Sequence, residues 1–386
     1  MKWPLLYTVG KGLGKFLTYK RFVEISSKLN FPFAPPLVSS VQITLHCNSR
    51  CIYCNIWKLK DNSEVVPLDT LDRIFSSLRR LGVRIISLTG GEPLTRNDLP
   101  EVIWLAKRYG LLPHVCTNGI SLTKERAVEL AEAGIHSIIL SLDTLDSKVY
   151  EKHRGVPFKL AERALTSLTY IVNEYPQICS AVNCVITCYN IGKVVSFVRQ
   201  ISEFGGGKIL VNLQPYHQPS TFSEISRELS RETRDKLWAC YQDVLPEDNP
   251  IPSNGSKSIF EKEIEELIQL KKDGFPLNNS EYYLRAIPDF LFDNKLPRGF
   301  ICIAGYTGIF IRYDLKVLPC WKLPPIGDLR KEKLTDIWFS GRYKKIRREM
   351  KSLRCPGCLL LCHNEPGWFE LYNSVYKSSM LKFGER

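Results

Sequence analysis

The rhythm of residues 38–214 constrains this chain more than any other feature. Six apolar, strand-like runs fall at 38–45, 84–89, 113–117, 136–142, 181–187 and 208–214. Between them lie stretches of helical periodicity: Leu68–Leu81, Asp98–Tyr109, Thr123–Ala133, Lys159–Glu174 and Lys193–Phe204. Asp69, Asn97 and Thr123 sit near helix starts, where a side chain can cap free amides. Gly82, Gly110 and Gly134 follow helix ends, as C-cap residues do. Strands alternating with helices lie parallel, joined by right-handed crossovers. The pattern predicts an α/β fold, a partial (β/α)6 barrel. Such barrels do their chemistry at the C-terminal ends of the strands, so polar residues there come first.

The first strand runs directly into Cys47-Asn-Ser-Arg-Cys51-Ile-Tyr53-Cys54, a C-x3-C-x2-C loop. Three thiolates can hold three irons of a 4Fe-4S cube and leave the fourth open. Most such clusters take four cysteines, so a local trio points to a cluster that binds something else. A structural zinc site and ordinary buried thiols are the alternatives, although zinc usually takes C-x2-C pairs totalling four ligands. The second strand ends in Gly90-Gly91-Glu92-Pro93. Two glycines let the backbone approach a ligand closely, and Glu92 offers a carboxylate to an ammonium group. Alone, such a tetrapeptide is commonly a surface turn.

Together, and about forty residues apart, the two motifs resemble those of the radical S-adenosylmethionine (radical SAM) superfamily, and Tyr53 before the third cysteine fits the same pattern. The resemblance implies a TIM-like partial barrel in which Cys47, Cys51 and Cys54 hold a 4Fe-4S cluster. The open iron would chelate the methionine part of SAM, with Gly90, Gly91, Glu92 and Pro93 binding its ammonium. Electron transfer then cleaves the sulfonium, and a 5′-deoxyadenosyl radical abstracts hydrogen from substrate. Further strand ends carry Asn118, Ser141, Asp143 and Gln214, with Arg154 shortly after the fourth. The resemblance implies that Ser141 and Arg154 reach the SAM carboxylate, and that Asn118 and Asp143 line the SAM or substrate pocket. Each is also a common turn or cap residue.

A second group, Cys302, Cys320, Cys355, Cys358 and Cys362, lies near the C-terminus. The run Ile309–Leu318 reads as a β-hairpin that brings Cys302 near Cys320, and Pro-Gly between Cys355 and Cys358 suits a turn. These spacings alone narrowly favour zinc. The context Val317-Leu-Pro-Cys320, Ile326-Gly-Asp-Leu329 and Leu334-Thr-Asp-Ile-Trp338 instead resembles the SPASM/twitch auxiliary domain of radical SAM enzymes. Five cysteines imply one auxiliary 4Fe-4S cluster on Cys302, Cys320, Cys355 and Cys358, with Cys362 as a substitute ligand or free thiol. Leu315 stands where that family usually has a hairpin glycine. His363 and Glu365 are candidates for a proton donor or unusual ligand, or plain surface residues. The cobalamin motif Asp-x-His-x-x-Gly is missing from the sequence, so no cobalamin is expected.

These readings divide the chain into a basic arm (1–36), a radical SAM core (37–218), a helical bridge (219–298) and an auxiliary domain (299–386). The bridge holds helix-like stretches at Thr233–Leu245, Ser258–Lys272 and Glu281–Leu291 and a proline linker at 246–254. The length allows separate cores. Net charge is +13, of which residues 1–40 carry +5 and residues 342–354 carry +6. A basic surface favours anionic partners or plain solubility. The arm combines Trp3, Leu5, Leu6 and Tyr7 with an amphipathic stretch. It suits either a membrane surface or packing across the barrel mouth.

Thirteen cysteines and no secretory signal point to a reducing cytosol, with peripheral membrane contact through the arm under the first reading. The remaining cysteines (116, 179, 184, 188 and 240) read as buried apolar residues. A small reductant or electron-donor protein is the expected partner of a monomer. A zinc-stapled nucleic-acid module is the rival of another class; residues 342–354 lack the interleaved aromatics of a strand platform, so no nucleic acid is expected. The expected reaction is hydrogen abstraction from an unactivated carbon, the auxiliary cluster assisting oxidation or cross-linking. The arm favours a membrane lipid as substrate, a headgroup or isoprenoid chain, with a peptide or protein side chain as the alternative.

Overall fold

A computed structural model describes residues 19–54, 56–58, 64–217, 250, 252–321, 323–352 and 358–359. Residues 1–18, the expected helix Thr233–Leu245 with Cys240, most of the proline linker, and Cys355, Cys362, His363 and Glu365 lie outside the described residues.

Helix α1 (Tyr19–Leu29) precedes the core. The core alternates β1 (Val38–Thr44), α2 (Leu68–Leu81), β2 (Ile85–Gly90), α3 (Leu99–Arg108), β3 (Leu112–Thr117), α4 (Lys124–Glu132), β4 (Ser137–Ser141), α5 (Ser147–Arg154), α6 (Lys159–Glu174), β5 (Cys179–Ile186), α7 (Val194–Phe204) and β6 (Leu210–Pro215). The six strands are parallel and adjacent in chain order, and the sheet does not close: β6 and β1 lie apart in it. Thr123 caps α4 as expected, its hydroxyl accepting from the Arg126 amide at 3.2 Å. Asp69 and Asn97 do not cap. Pro67 and Asp98 occupy those positions; Asp69 accepts from the next amide, Thr70, and Asp98 pairs with Arg96.

Side chains alternate across each strand. One set, including Val41, Ile43, Ile86, Leu88, Val115, Leu140, Val182 and Leu213, joins the helices in one apolar cluster. The opposite set holds Ser40, Gln42, Ser87, Thr89, Cys116, Ser141, Asn183, Asn212 and Gln214, most of them half-buried. TIM barrels usually fill that inner face with branched apolar residues. Here it is polar, and three carboxamides are linked across it. Asn212 donates to Asn183 at 2.7 Å, and Asn278 donates to Asn212 at 2.8 Å.

The bridge protects an edge. Helices α8 (Lys257–Lys272) and α9 (Glu281–Asp293) pack beside α7 and β6. Between them Leu277 bridges Val211, and Asn279 both accepts from the Leu213 amide (2.7 Å) and donates to its carbonyl (2.8 Å). The open peptide groups of β6 are thereby satisfied.

The C-terminal region contains α10 (Ala304–Thr307), β7 (Gly308–Ile311), β8 (Lys316–Leu318), β9 (Gly327–Asp328), α11 (Leu334–Phe339) and α12 (Gly341–Lys351). The expected hairpin is present, with Phe310 opposite Leu318. It does not form a sheet of its own: β7 lies parallel to β1, making one nine-stranded sheet. Ile309, Ile311, Val317, Ile337 and Trp338 belong to the same apolar cluster as the barrel. The open edge of β1 explains this, because its peptide groups need a partner. Leu315 adopts φ 63°, the left-handed turn conformation that a glycine would take without strain. Such a residue costs roughly 1–2 kcal/mol.

The described part of the arm packs inward. Tyr19 and Val23 of α1 are buried with Leu37, Ile85 and Tyr306. Among the described residues no helix is long and apolar enough to cross a membrane.

Candidate active site

The cysteine loop leaves the end of β1 and is fastened on two sides. On the first, the amides of Gly91 and Glu92 donate to the carbonyls of Thr44 (2.8 Å) and His46 (2.7 Å). A Cβ on Gly91 would lie 2.2 Å from the His46 oxygen, and one on Gly90 (φ +137°) 2.0 Å from the Thr44 oxygen. These glycines permit a close approach, as the sequence implied, but the chain approached is the root of the cysteine loop itself.

On the second side, the amides of Arg50 and Ile52 donate to the carbonyls of Arg154 and His153, both at 3.0 Å, and the Ser49 hydroxyl donates to Arg154 O at 2.8 Å. The last carbonyls of α5, which lack partners within the helix, thus hold the loop.

Donors face the sulfurs. Arg154 Nη1 is 3.6 Å from Cys51 Sγ and Asn118 Nδ2 is 3.9 Å from Cys47 Sγ; the Ser49 oxygen, whose one proton goes to Arg154 O, lies 3.2 Å from Cys51 Sγ and accepts from that thiol. Burial pushes the Cys47 thiol up to about 12, with Glu92, Cys51 and Cys54 adding repulsion. Burial and then Cys51 push Cys54 up to about 11. Raised in this way, the Cys47 and Cys54 thiols become thiolates only when a cationic group joins them. The chemistry of the donor set, three sulfurs of one loop with the Arg154 and Asn118 nitrogens beside two of them, suits an iron–sulfur cluster on Cys47, Cys51 and Cys54, while among the described residues no three such side chains are drawn together closely enough to hold a metal ion.

Glu92 is 1% exposed. One oxygen accepts from the Leu94 amide (3.0 Å) and the Thr117 hydroxyl (2.7 Å), and the other from the Asn118 amide (2.6 Å). Burial raises its pKa to about 7 against these bonds. A carboxylate offers about four acceptor sites, so little capacity is left for a ligand's ammonium. Its visible work is to tie the end of β3 to the loop after β2. Pro93, also buried, opens the short turn that follows.

Asp143 is the second hub. One oxygen accepts from Arg154 Nη2 at 2.6 Å and from the Tyr53 hydroxyl; the other accepts from the Val185 amide at 2.9 Å. The Arg154 guanidinium lies 5.4 Å from the Tyr53 ring centre. Burial works against its charge, and Asp143, Tyr53 and Cys51 outweigh burial and hold its pKa above the usual arginine value. Its Nε is buried without a partner. An unused donor beside Cys51 fits a ligand carboxylate, as SAM carries.

Cys47, Cys51, Cys54, Tyr53, Asn118, Asp143 and Arg154 therefore form one network. Ser141 and Gln214 do not join it among the described residues; they stand at strand ends on the polar inner face. Sequence reasoning missed Ser49, Thr117, Asn48 and His153. Asn48 accepts from Asn118 at 2.9 Å. His153 is fully buried between Tyr53 and Tyr189, and both its ring nitrogens lack partners. Its place beside Arg154 was the one available signal.

At the second cysteine group, the charges of Cys302 and Cys320 both act on the Tyr343 phenol of α12, whose pKa burial raises. Cys358 is half-buried. Arg347 is on the buried side of α12, its guanidinium 3.8 Å from the Tyr343 ring centre and 4.3 Å from that of Trp338.

Residues 41–184 match the family model of the radical SAM superfamily, and residues 302–359 match that of the SPASM iron-sulfur cluster-binding domain. A probable GTP 3′,8-cyclase of Methanococcus vannielii is 34% identical over 133 residues, 34% of this chain. The chain spans 44% of that relative's length. The AdoMet-dependent heme synthase of Methanosarcina barkeri is 24% identical over 340 residues, covering 84% of this chain and 88% of that protein. Among solved structures, Streptococcus suis SuiB bound to precursor peptide SuiA aligns with TM-score 0.61 at 17% identity, covering 87% of this chain and 73% of that one. The protein anSMEcpe with bound AdoMet aligns with TM-score 0.58 at 16% identity, covering 90% and 98%. At these identities the structures establish the fold.

Proposed function

The chain belongs to the radical SAM superfamily and carries a C-terminal SPASM domain, and from that premise we propose that it cleaves SAM reductively to start oxidation or cross-linking of a substrate on its polar inner face. The observation that carries this reading is the cysteine loop, fastened between the glycine crossing and α5 with the Arg154 and Asn118 nitrogens aimed at two of its sulfurs. When bound, a 4Fe-4S cluster supplies the electron that splits the SAM sulfonium, and the 5′-deoxyadenosyl radical so released takes a hydrogen atom from substrate.

The chain's own residues do the positioning. Gly90 and Gly91 hold the loop's root against β1, and Arg154 offers its free Nε to the SAM carboxylate. Asp143 fixes that guanidinium and the Tyr53 ring together, so one carboxylate sets both walls of the site. Cys302, Cys320, Cys355 and Cys358 would hold one auxiliary cluster that takes up the electron left by substrate oxidation.

For the substrate we favour a peptide or protein side chain. Carboxamides at 183, 212 and 278 and hydroxyls at 40, 87, 89 and 141 form a surface that hydrogen-bonds, which suits peptide groups better than an isoprenoid chain. The lipid reading rested on the arm, and in its described part the apolar stripe of α1 is buried. The test uses deuterium-grown cell extract separated into peptide, lipid and small polar fractions. Each is incubated with SAM, dithionite and the iron-loaded protein, and 5′-deoxyadenosine is weighed. The proposal expects deuterium transfer from the peptide fraction; transfer from the lipid fraction alone would overturn the substrate assignment.

A further inference from the structure

The sheet ends in β6 on one side and in β9 on the other, and the C-terminal region touches both sides. Helix α12 is seated on the β7 side. There the Tyr343 hydroxyl donates to Gly308 O at 3.4 Å, and Arg347 donates to Gly305 O at 2.7 Å. Lys351 ends α12, and Leu359 is then fully buried on the β6 side. Two side chains hold it. The Leu359 amide donates to His217 Nε2 at 3.1 Å, and its carbonyl accepts from the Tyr283 hydroxyl of α9. Leu359 and Tyr283 both belong to the apolar cluster of the barrel. Buried peptide groups need partners, and here side chains of two separate elements supply them for the residue next to Cys358.

His217 stands just beyond the strand that carries much of the polar inner face. The Tyr216 amide donates to Ile186 O at 3.0 Å, so the β5–β6 ladder continues past Pro215. Neighbouring side chains of a strand project to opposite faces. Tyr216 meets the cysteine loop, its ring centre 6.3 Å from that of Tyr53, and its buried hydroxyl has no partner among the described residues. The His217 ring centre lies 5.2 Å from that of Phe290 on α9. One strand end therefore reaches the first cysteine group through Tyr216 and the neighbour of Cys358 through His217.

We propose that His217 and Tyr283 are positioning residues for the auxiliary cluster, holding Cys358 at the end of β6 so that its sulfur is placed before iron arrives. The inference rests on the reading of Cys358 as a cluster ligand. A ligand on an unheld segment must be ordered as the metal binds, and that ordering weakens binding. A segment already pinned beside the ligand loses less. Groups that hold a metal's ligands in place change affinity by about 10–100-fold when removed.

The competing explanation is that the two bonds only stabilise the fold. Leu359 shares the core of the barrel, so that explanation expects both cysteine groups to suffer together. Positioning expects the second group to suffer alone.

The experiment uses the full chain, loaded with iron, in a Cys47→Ala/Cys51→Ala/Cys54→Ala background where iron reports the second group alone. Iron loss to the chelator bathophenanthroline is timed, and the electron paramagnetic resonance spectrum of the dithionite-reduced protein is recorded. His217→Phe keeps a ring against Phe290 and removes the acceptor. His217→Gln restores a carboxamide acceptor, and Tyr283→Phe removes one hydroxyl. Iron loss should quicken by about tenfold or more in His217→Phe and Tyr283→Phe, with an altered resonance. In His217→Gln it should stay within about threefold of the background. Both phenylalanine variants within threefold of the background, or His217→Gln as fast as His217→Phe, would overturn the proposal. In chains that keep the first three cysteines, iron at that group should load equally in every variant; its loss alongside the second group would also overturn a positioning role. Cys358→Ala judges the underlying reading separately and should lose iron at least as fast as His217→Phe. If Cys358→Ala holds iron as firmly as the background, the reading of Cys358 as a ligand fails, and the proposal with it.

Discussion

Removing the carboxylate of Asp143 should cost more than removing most other single side chains. Its ion pair with Arg154 closes to 2.6 Å with side-chain exposures of 6% and 1%. Asp143→Ala leaves a buried guanidinium without its countercharge, which costs about 3–5 kcal/mol. The same change strips an acceptor from the Val185 amide and from the Tyr53 hydroxyl, each worth roughly 1 kcal/mol. Urea unfolding under anaerobic conditions measures the loss. The double variant Asp143→Ala/Arg154→Met removes the stranded cation as well and should recover at least half of it, since contacting residues are strongly non-additive. Iron content should fall in both, because Arg154 also faces Cys51. Destabilisation of Asp143→Ala below about 1 kcal/mol, or a double variant no better than the single, would refute the hub.

Three further outcomes follow from the same geometry. Gly91→Ala forces a carbonyl contact of 2.2 Å, so the loop must shift; iron bound at the first site should drop while the auxiliary site still loads, measured by Mössbauer spectroscopy. Leu315→Gly exchanges partial burial for relief of the φ 63° conformation; stability should stay within about 1 kcal/mol of the parent, against the 2–5 kcal/mol typical of truncating a core leucine. His114 is held neutral by burial and then by His136, its pKa lowered from 6.5 to about 3. The unfolded chain therefore binds the proton first. The stability this contributes is present above pH 6.5 and is lost as pH falls toward 3, and His114→Phe should flatten that slope in acid unfolding.

Much of the core was legible because its signals are local. Apolar runs, helix periodicity and C-cap glycines placed six strands and five helices to within a few residues, and both motifs fell at strand ends. What was not legible depends on partners distant in sequence. Nothing near Ile309 announces that β7 will join β1, because that pairing is driven by the open edge of β1 some 270 residues earlier. The roles of Asp143 and Glu92 were equally hidden. Each has a carboxylate that could serve a ligand, and the fold commits both largely to internal hydrogen bonds. Arg154 was legible as a site residue, but its free Nε depends on how Asp143 takes the other end of the guanidinium. Leu315 shows the reverse: the departure from a family glycine was visible in the sequence, and the backbone still adopts the glycine-like conformation.

The central claim is that Cys47, Cys51 and Cys54 hold a cluster able to split SAM. The most direct measurement purifies the protein without oxygen, adds SAM and dithionite, and quantifies 5′-deoxyadenosine by mass spectrometry beside a Cys47→Ala/Cys51→Ala/Cys54→Ala variant. The account predicts a brown protein that forms 5′-deoxyadenosine and a variant that retains auxiliary iron but forms none. A parent that binds iron and leaves SAM intact, or a triple variant that still cleaves it, would contradict the account.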